Sequence, residues 1–151
     1  MLFRSEYKSA NKEELLADVK RCIAAYVAER IKFGTTSQGV GGAPGSDFYT
    51  AMGIASRMVR SYGMGKSGLV GDFLYPEKYH YLSEKIKETL DNDVQDILQT
   101  CIKDVESVLA GKRELLDYFA QELYQKEELE YDDIEAIFEK FGLKRPPVST
   151  V

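Results

Sequence analysis

A chain of 151 residues, 44% hydrophobic and 30% charged, has the composition of one globular domain, a length at which folding buries roughly 70% of the unfolded surface. Its net charge of -5, with lysines interleaved among glutamates as in LSEKIKETLDND, excludes the concentrated basic surface that nucleic acid requires. No run approaches the roughly 18 apolar residues of a membrane span, no signal-peptide core follows Met1, and Cys22 and Cys101 lie too far apart for a CxxC site; a soluble, cytoplasmic chain with reduced core thiols and no direct membrane insertion is expected.

In chain order, the first strong signal is Asn11 followed three residues later by Glu14, the spacing of a capping box. Leu15, Leu16, Val19, Cys22, Ile23, Tyr26, Val27 and Ile31 then recur at three and four, and Gly34 supplies a left-handed stop, which predicts a helix over 12–33. Residues 34–46, GTTSQGVGGAPGS, hold five glycines and a proline with almost nothing apolar. This segment reads as a loop, either a mobile connector or a bare backbone that a ligand or neighbour can approach. It has no GxGxxG order, and the later GKS at 65–67 lacks the preceding glycine of a Walker loop, so nucleotide binding is not expected.

Ser46 is placed to cap a second helix whose apolar stripe is Phe48, Met52, Ala55 and Val59, with Ala51 and Met58 beside it; the methionines read as core filler. Asp47 falls in its first turn, where the helix dipole favours a carboxylate with or without a metal. Glycines at 63, 65, 68 and 71 and Pro76 predict a turn-rich segment over about 63–80, with one short extended piece at Leu69 and Val70. Ser83 then caps the longest helix, carrying Ile86, Leu90, Val94, Ile97, Cys101, Val105 and Val108 and ending near Gly111. A further helix runs from Arg113 to about Gln125, and Asp132 with Glu135 predicts a capping box for a last helix through Ile134, Ile137, Phe138 and Phe141. The expectation is an all-α helical bundle in a single domain over 1–151, with residues 144–151 as a flexible tail.

Chemistry legible from these residues alone is sparse. Nucleophilic catalysis needs a base beside a serine or cysteine, and the only histidine, His80, stands between two tyrosines with no local orienting partner; it reads as a surface or capping residue. The pairs Asp91 with Asp93 and Asp132 with Asp133 read as exposed acids near helix ends.

The order of motifs is more telling. AAYVAERIKFG, then TT, a glycine-rich loop, SD, and AMGIASRMVRSYGM resemble the peptidase domain of FtsH-type membrane-bound AAA+ zinc metalloproteases. Ala28, Glu29, Phe33, Gly34, Thr35, Thr36, Asp47, Ala51, Ala55, Arg57, Met58, Val59, Tyr62, Gly63 and Met64 all stand where that pattern places them. YLSEKIKETLDNDVQDIL and the following KRELLDYFAQELYQKEELEYDDIEAIF resemble the family's later helices, so the likeness covers about residues 12–143. Ala24 and Ala25 replace the family's paired glycines, Tyr26 replaces its arginine, and the loop before Asp47 is a few residues longer.

The resemblance implies a mostly helical fold, zinc as the family's cofactor, and Asp47 as the family's third zinc ligand. The family's other ligands come from a His-Glu-x-x-His helix, a motif this sequence does not contain, so no catalytic residue is assigned and tight zinc binding by this chain alone is not expected. Two readings follow. The chain is a portion of a longer protease acting on unfolded proteins, with Glu29 near the metal behind its direct ligands, or a short relative that serves as a helical assembly module. Because family members form hexameric rings, self-association or docking onto FtsH-type protease subunits is expected in either case.

Overall fold

Asn11 sets the start of α1 (Lys12–Phe33): its side chain accepts from the Glu14 N–H at 3.0 Å, while the Glu14 carboxylate accepts from the Asn11 N–H at 2.9 Å. The reciprocal pair satisfies donors that a helix start leaves open. Gly34, at φ +68°, closes the helix and donates to the Arg30 carbonyl, so both boundaries agree with the sequence. The structure, a computed structural model, describes residues 9–74 and 82–143; Pro76, His80 and the expected tail at 144–151 lie outside the described residues. All regular structure among the described residues is helical, comprising α1, a 3-10 turn at Gln38–Val40, α2 (Asp47–Arg60), α3 (Glu84–Ala110), α4 (Arg113–Lys126) and α5 (Tyr131–Lys140). The extended piece expected at Leu69 and Val70 forms no strand.

The chain divides into two compact units, separated in sequence between Ser107 and Val108. In the first, Val19, Ile23 and Val27 of α1 are buried with Ala51, Ala55, Met58 and Val59 of α2 and Leu90, Val94, Ile97, Cys101 and Val105 of α3. Alanines at 51 and 55 present small side chains where α2 packs on α1, which lets the two backbones approach. The buried stripe of α2 is rotated from the one expected: Phe48 is 37% and Met52 45% exposed, so only Met58 of the two α2 methionines is core. Val108, expected on the apolar face of α3, is 58% exposed. Lys20 with Asp104 at 2.7 Å and Arg30 with Glu106 at 3.3 Å link α1 to α3, each contributing under about 1 kcal/mol because both partners are well solvated.

One carboxylate anchors the turn that follows α2. Asp93, expected as an exposed acid, is only 7% exposed and accepts from the Ser67 backbone N–H at 3.1 and 3.2 Å and from the Ser67 hydroxyl. A buried charge survives only when its oxygens are satisfied in this way. The turn itself is held by Gly63, at φ +64°, which lets the Met64 N–H reach the Met58 carbonyl at 2.9 Å. Lys12 donates to the Met64 carbonyl at 3.2 Å, and Arg60 and Lys66 pair with Asp91 and Asp96 of α3.

In the second unit, Leu115 and Ile137 are buried, Tyr118 packs on Phe141 with ring centroids 5.6 Å apart, and Phe119 packs on Phe138 at 5.4 Å. Helix α4 ends at Glu127, a non-glycine residue at φ +64°. The capping pair predicted at Asp132 and Glu135 is displaced. Asp133 instead accepts from the Glu130 N–H at 3.1 Å, and Glu135 accepts from the Tyr131 hydroxyl at 2.6 Å. Lys126 pairs with Asp133 in that role at 2.7 Å, and the helix starts two residues earlier than expected, with Glu130 and not Asp132 at its cap.

Three outcomes follow. A Cβ at Gly65 would lie 2.3 Å from the Asp93 carboxylate, so Gly65→Ala is expected to destabilise by about 1–3 kcal/mol in urea unfolding. A Cβ at Gly53 meets nothing within 4 Å, so Gly53→Ala is expected to stabilise by about 0.5–1 kcal/mol in the same measurement. The hydrogen bond from Lys126, then that from the Glu130 N–H, hold the Asp133 carboxyl below its usual 3.8. A carboxyl with a lowered folded-state pKa contributes stability above its unfolded value and loses it as pH falls through the folded one; carbon-detected NMR titration should place the Asp133 midpoint below 3.8 and Lys126→Met should raise it.

Candidate functional site

Asp47 is the first residue of α2, but it does not cap the helix. Ser46 does, its hydroxyl accepting from the Tyr49 N–H at 3.4 Å. The Asp47 carboxylate is exposed and has no hydrogen bond or ion pair among the described residues. It is thus a solvated acceptor held at the positive end of a helix, where negative charge is favoured.

Glu29 has a different environment. Half-buried on α1, it accepts from the Ser37 backbone N–H at 2.8 Å and from the Ser37 hydroxyl at 2.9 Å. The Ser37 oxygen in turn accepts from the Gly39 N–H at 3.4 Å, opening the 3-10 turn that buries Val40. The first half of the glycine-rich loop is therefore anchored to α1, a contact with no local signal in the sequence because it bridges eight positions across the Gly34 stop. Glu29 forms no hydrogen bond with Asp47; its carboxylate is engaged by the loop.

Beside Asp47 lies the half-buried Cys22. Burial, and then the Asp47 charge, push the Cys22 thiol upward, which keeps it protonated and makes it a poor metal ligand. Next along α1, Tyr26 meets Phe48 edge-on with centroids 5.0 Å apart, and the Arg30 guanidinium sits 5.5 Å from the Tyr26 ring. Tyr26, Phe48, Met52, Leu98 and Ile102 line a groove of about 300 Å³ between α1, α2 and α3. Catalytic zinc sites take about three protein ligands with one open position. Among the described residues, no group of three His, Cys, Asp or Glu side chains is placed to hold a metal. Asp47 stands as a single unengaged carboxylate, and the described residues do not by themselves fit a zinc centre.

The model of peptidase family M41 matches residues 1–137. The chain belongs to this family. It is 33% identical over 136 residues to the ATP-dependent zinc metalloprotease FtsH of Borreliella burgdorferi, covering 83% of this chain and 21% of that protein. With the FtsH of Bacillus subtilis it shares 29% over 153 residues, 92% of this chain and 23% of the relative. With the mitochondrial inner membrane i-AAA protease supercomplex subunit YME1 of Saccharomyces cerevisiae it shares 30% over 141 residues, 92% and 18% respectively. The chain thus spans about a fifth of the length of these curated relatives. No described helix is long and apolar enough to cross a membrane.

The M41 match covers α1 through most of α5, and it contains both residues singled out from the sequence. The structure keeps them in separate roles, Asp47 free and Glu29 bonded to Ser37. It also buries Asp93, which the sequence pattern assigned to an exposed face. A signal was present: Asp93 lies three residues after Leu90 and four before Ile97, on the buried stripe of α3. For Glu29, replacement by alanine should release Ser37, raising amide exchange at Ser37 and Val40 by about tenfold while lowering global stability by no more than about 1 kcal/mol; unchanged exchange would show that the loop holds itself.

Proposed function

We propose that this chain acts within ATP-dependent zinc proteolysis as an M41 peptidase element, offering Asp47 as one zinc ligand, and that alone it hydrolyses no peptide. The observation that carries the reading is the free, exposed Asp47 carboxylate at the start of α2, inside a family match that spans residues 1–137. A carboxylate already bonded could not ligate without losing its partner; Asp47 loses none. Any remaining ligands come from outside the described residues, with Glu29 acting indirectly by fixing the loop that leads to Asp47. The relatives' names support ATP-dependent zinc proteolysis; the FtsH-type resemblance extends the proposal to unfolded-protein substrates and to a membrane-anchored, oligomeric protease with this domain on the cytoplasmic side.

A second reading, a helical assembly module that joins copies of itself or FtsH-type subunits, is favoured by the aromatic and methionine side chains left exposed on α2, Tyr49 at 62% and Met52 at 45%. Two measurements separate these readings. The purified chain should leave casein intact with and without added zinc, and zinc-dependent cleavage would overturn the proposal that it is inactive alone. In equilibrium dialysis, zinc retained weakly by the wild type and lost in Asp47→Ala supports the ligand assignment; no zinc bound across pH 6–9 favours the module. Under the second reading, light scattering should report a species larger than the monomer at high concentration.

A further inference from the structure

The groove of about 300 Å³ where α1, α2 and α3 meet has no part in the role proposed for Asp47. Ile23 and Ala51, both buried, close it from below, and Met52 and Leu98 stand at its solvent edge. Its aromatic wall is held from several sides. A Cβ at Gly41 would lie 3.4 Å from the Phe48 ring, so the glycine-rich loop packs against that ring, and Tyr26 meets it edge-on with centroids 5.0 Å apart. The Arg30 guanidinium lies 5.5 Å from the Tyr26 ring, and Glu106 of α3 pairs with Arg30 at 3.3 Å. The wall is therefore formed before any ligand arrives, as in small-molecule sites generally.

The lining selects the occupant. No charged side chain faces the groove, so an ionised ligand would give up water and gain no partner. Gln95 and Gln99, one turn apart on α3, complete the lining, and neither side chain makes a hydrogen bond among the described residues. A carboxamide carries both a donor and an acceptor, so this pair complements a ligand that itself carries one of each. The Tyr26 and Phe48 rings and the Met52 thioether favour an aromatic body. The volume, about that of ten water molecules at roughly 30 Å³ each, holds one flat bicyclic ring system. We propose that this groove binds a neutral aromatic carboxamide, its ring against Tyr26, Phe48 and Met52 and its amide on Gln95 and Gln99. Occupancy requires neither zinc nor Asp47.

Proton–nitrogen NMR of the full chain, titrated with 2-naphthamide, tests the assignment. Saturable shifts are expected at the side-chain amides of Gln95 and Gln99 and at the backbone amides of Phe48 and Met52. 2-Naphthoate, the same ring with a charge, should bind about tenfold more weakly, and 2-methylnaphthalene, which lacks the amide, about fivefold more weakly. Gln95→Met and Gln99→Met keep the length of exposed side chains and remove their hydrogen bonds. Each should weaken 2-naphthamide by about fivefold while leaving 2-methylnaphthalene unchanged, a split that a disturbed fold would not produce. No saturable shift at millimolar 2-naphthamide, shifts centred outside the groove, or equal binding of all three compounds would each overturn the proposal. So would shifts at Phe48, Met52 and Leu98 on concentrating the chain without ligand, because a second copy would then cover the groove.

Discussion

Asp93 is the only charged side chain enclosed by the core among the described residues, and the turn that follows α2 is organised around its need for donors. Taking a carboxylate out of water costs several kcal/mol unless hydrogen bonds replace the lost hydration. Ser67 supplies an amide and a hydroxyl, and the chain reaches that position only because Gly65 has no side chain to strike the carboxylate. Satisfying one buried charge therefore ties the turn around Gly65 and Ser67 to the middle of α3. Arg60 with Asp91 and Lys66 with Asp96 bracket the same joint. These outer pairs are solvated and individually weak; they steer the register that the inner contact enforces.

The acidic residues divide by what already occupies them. Asp93, Asp96 and Glu29 hold turns, Asp91, Asp104 and Glu106 pair with neighbouring helices, and Asp47 holds nothing among the described residues. The difference at Asp47 is local. Ser46 performs the cap, so the next residue is a helix-start carboxylate with no bonding duty. The helix dipole favours negative charge at this position without drawing the carboxylate into the protein. The same serine-aspartate order that reads as an ordinary helix start therefore leaves a carboxylate unengaged, as the zinc-ligand role proposed for Asp47 requires.

What the sequence made legible was governed by short-range physics. The Asn11–Glu14 box, the Gly34 stop, the Ser46 cap and the bounds of α1, α3 and α4 to within a residue depend on neighbours three or four positions apart. Misreadings arose where a distant partner decided. Asp93 sits on the apolar stripe of α3, yet its burial depends on Ser67, 26 residues away. The rotation of the α2 stripe toward Ala51 and Met58 depends on which face α1 covers. Asp133 displaced the predicted cap because Lys126 pairs with it from the preceding helix, and Glu127 takes a left-handed conformation for which a sequence reader would want glycine. Of the site, Asp47 was legible as a helix-start acid and the resemblance alone made it a ligand; the role of Glu29 as the anchor of Ser37 required coordinates.

The separation between core and ligand bears on how any metal would be taken up. In domains that fold around zinc, ligands lie inside the structure and metal binding is folding energy. Here the first unit buries Ile23, Met58, Leu90 and Val27 completely or nearly so, each worth about 1.5–3 kcal/mol of transfer free energy, while Asp47 is exposed and adds nothing to that core. The Asp47 backbone is fixed by the Ser46 cap and by α2 packing on α1 whether or not its carboxylate is coordinated. A metal joining Asp47 would thus meet a preformed position and be gained or lost without remaking the scaffold. A scaffold of that kind would persist without its metal, so membership of a peptidase family and the inactivity proposed for the isolated chain are physically compatible.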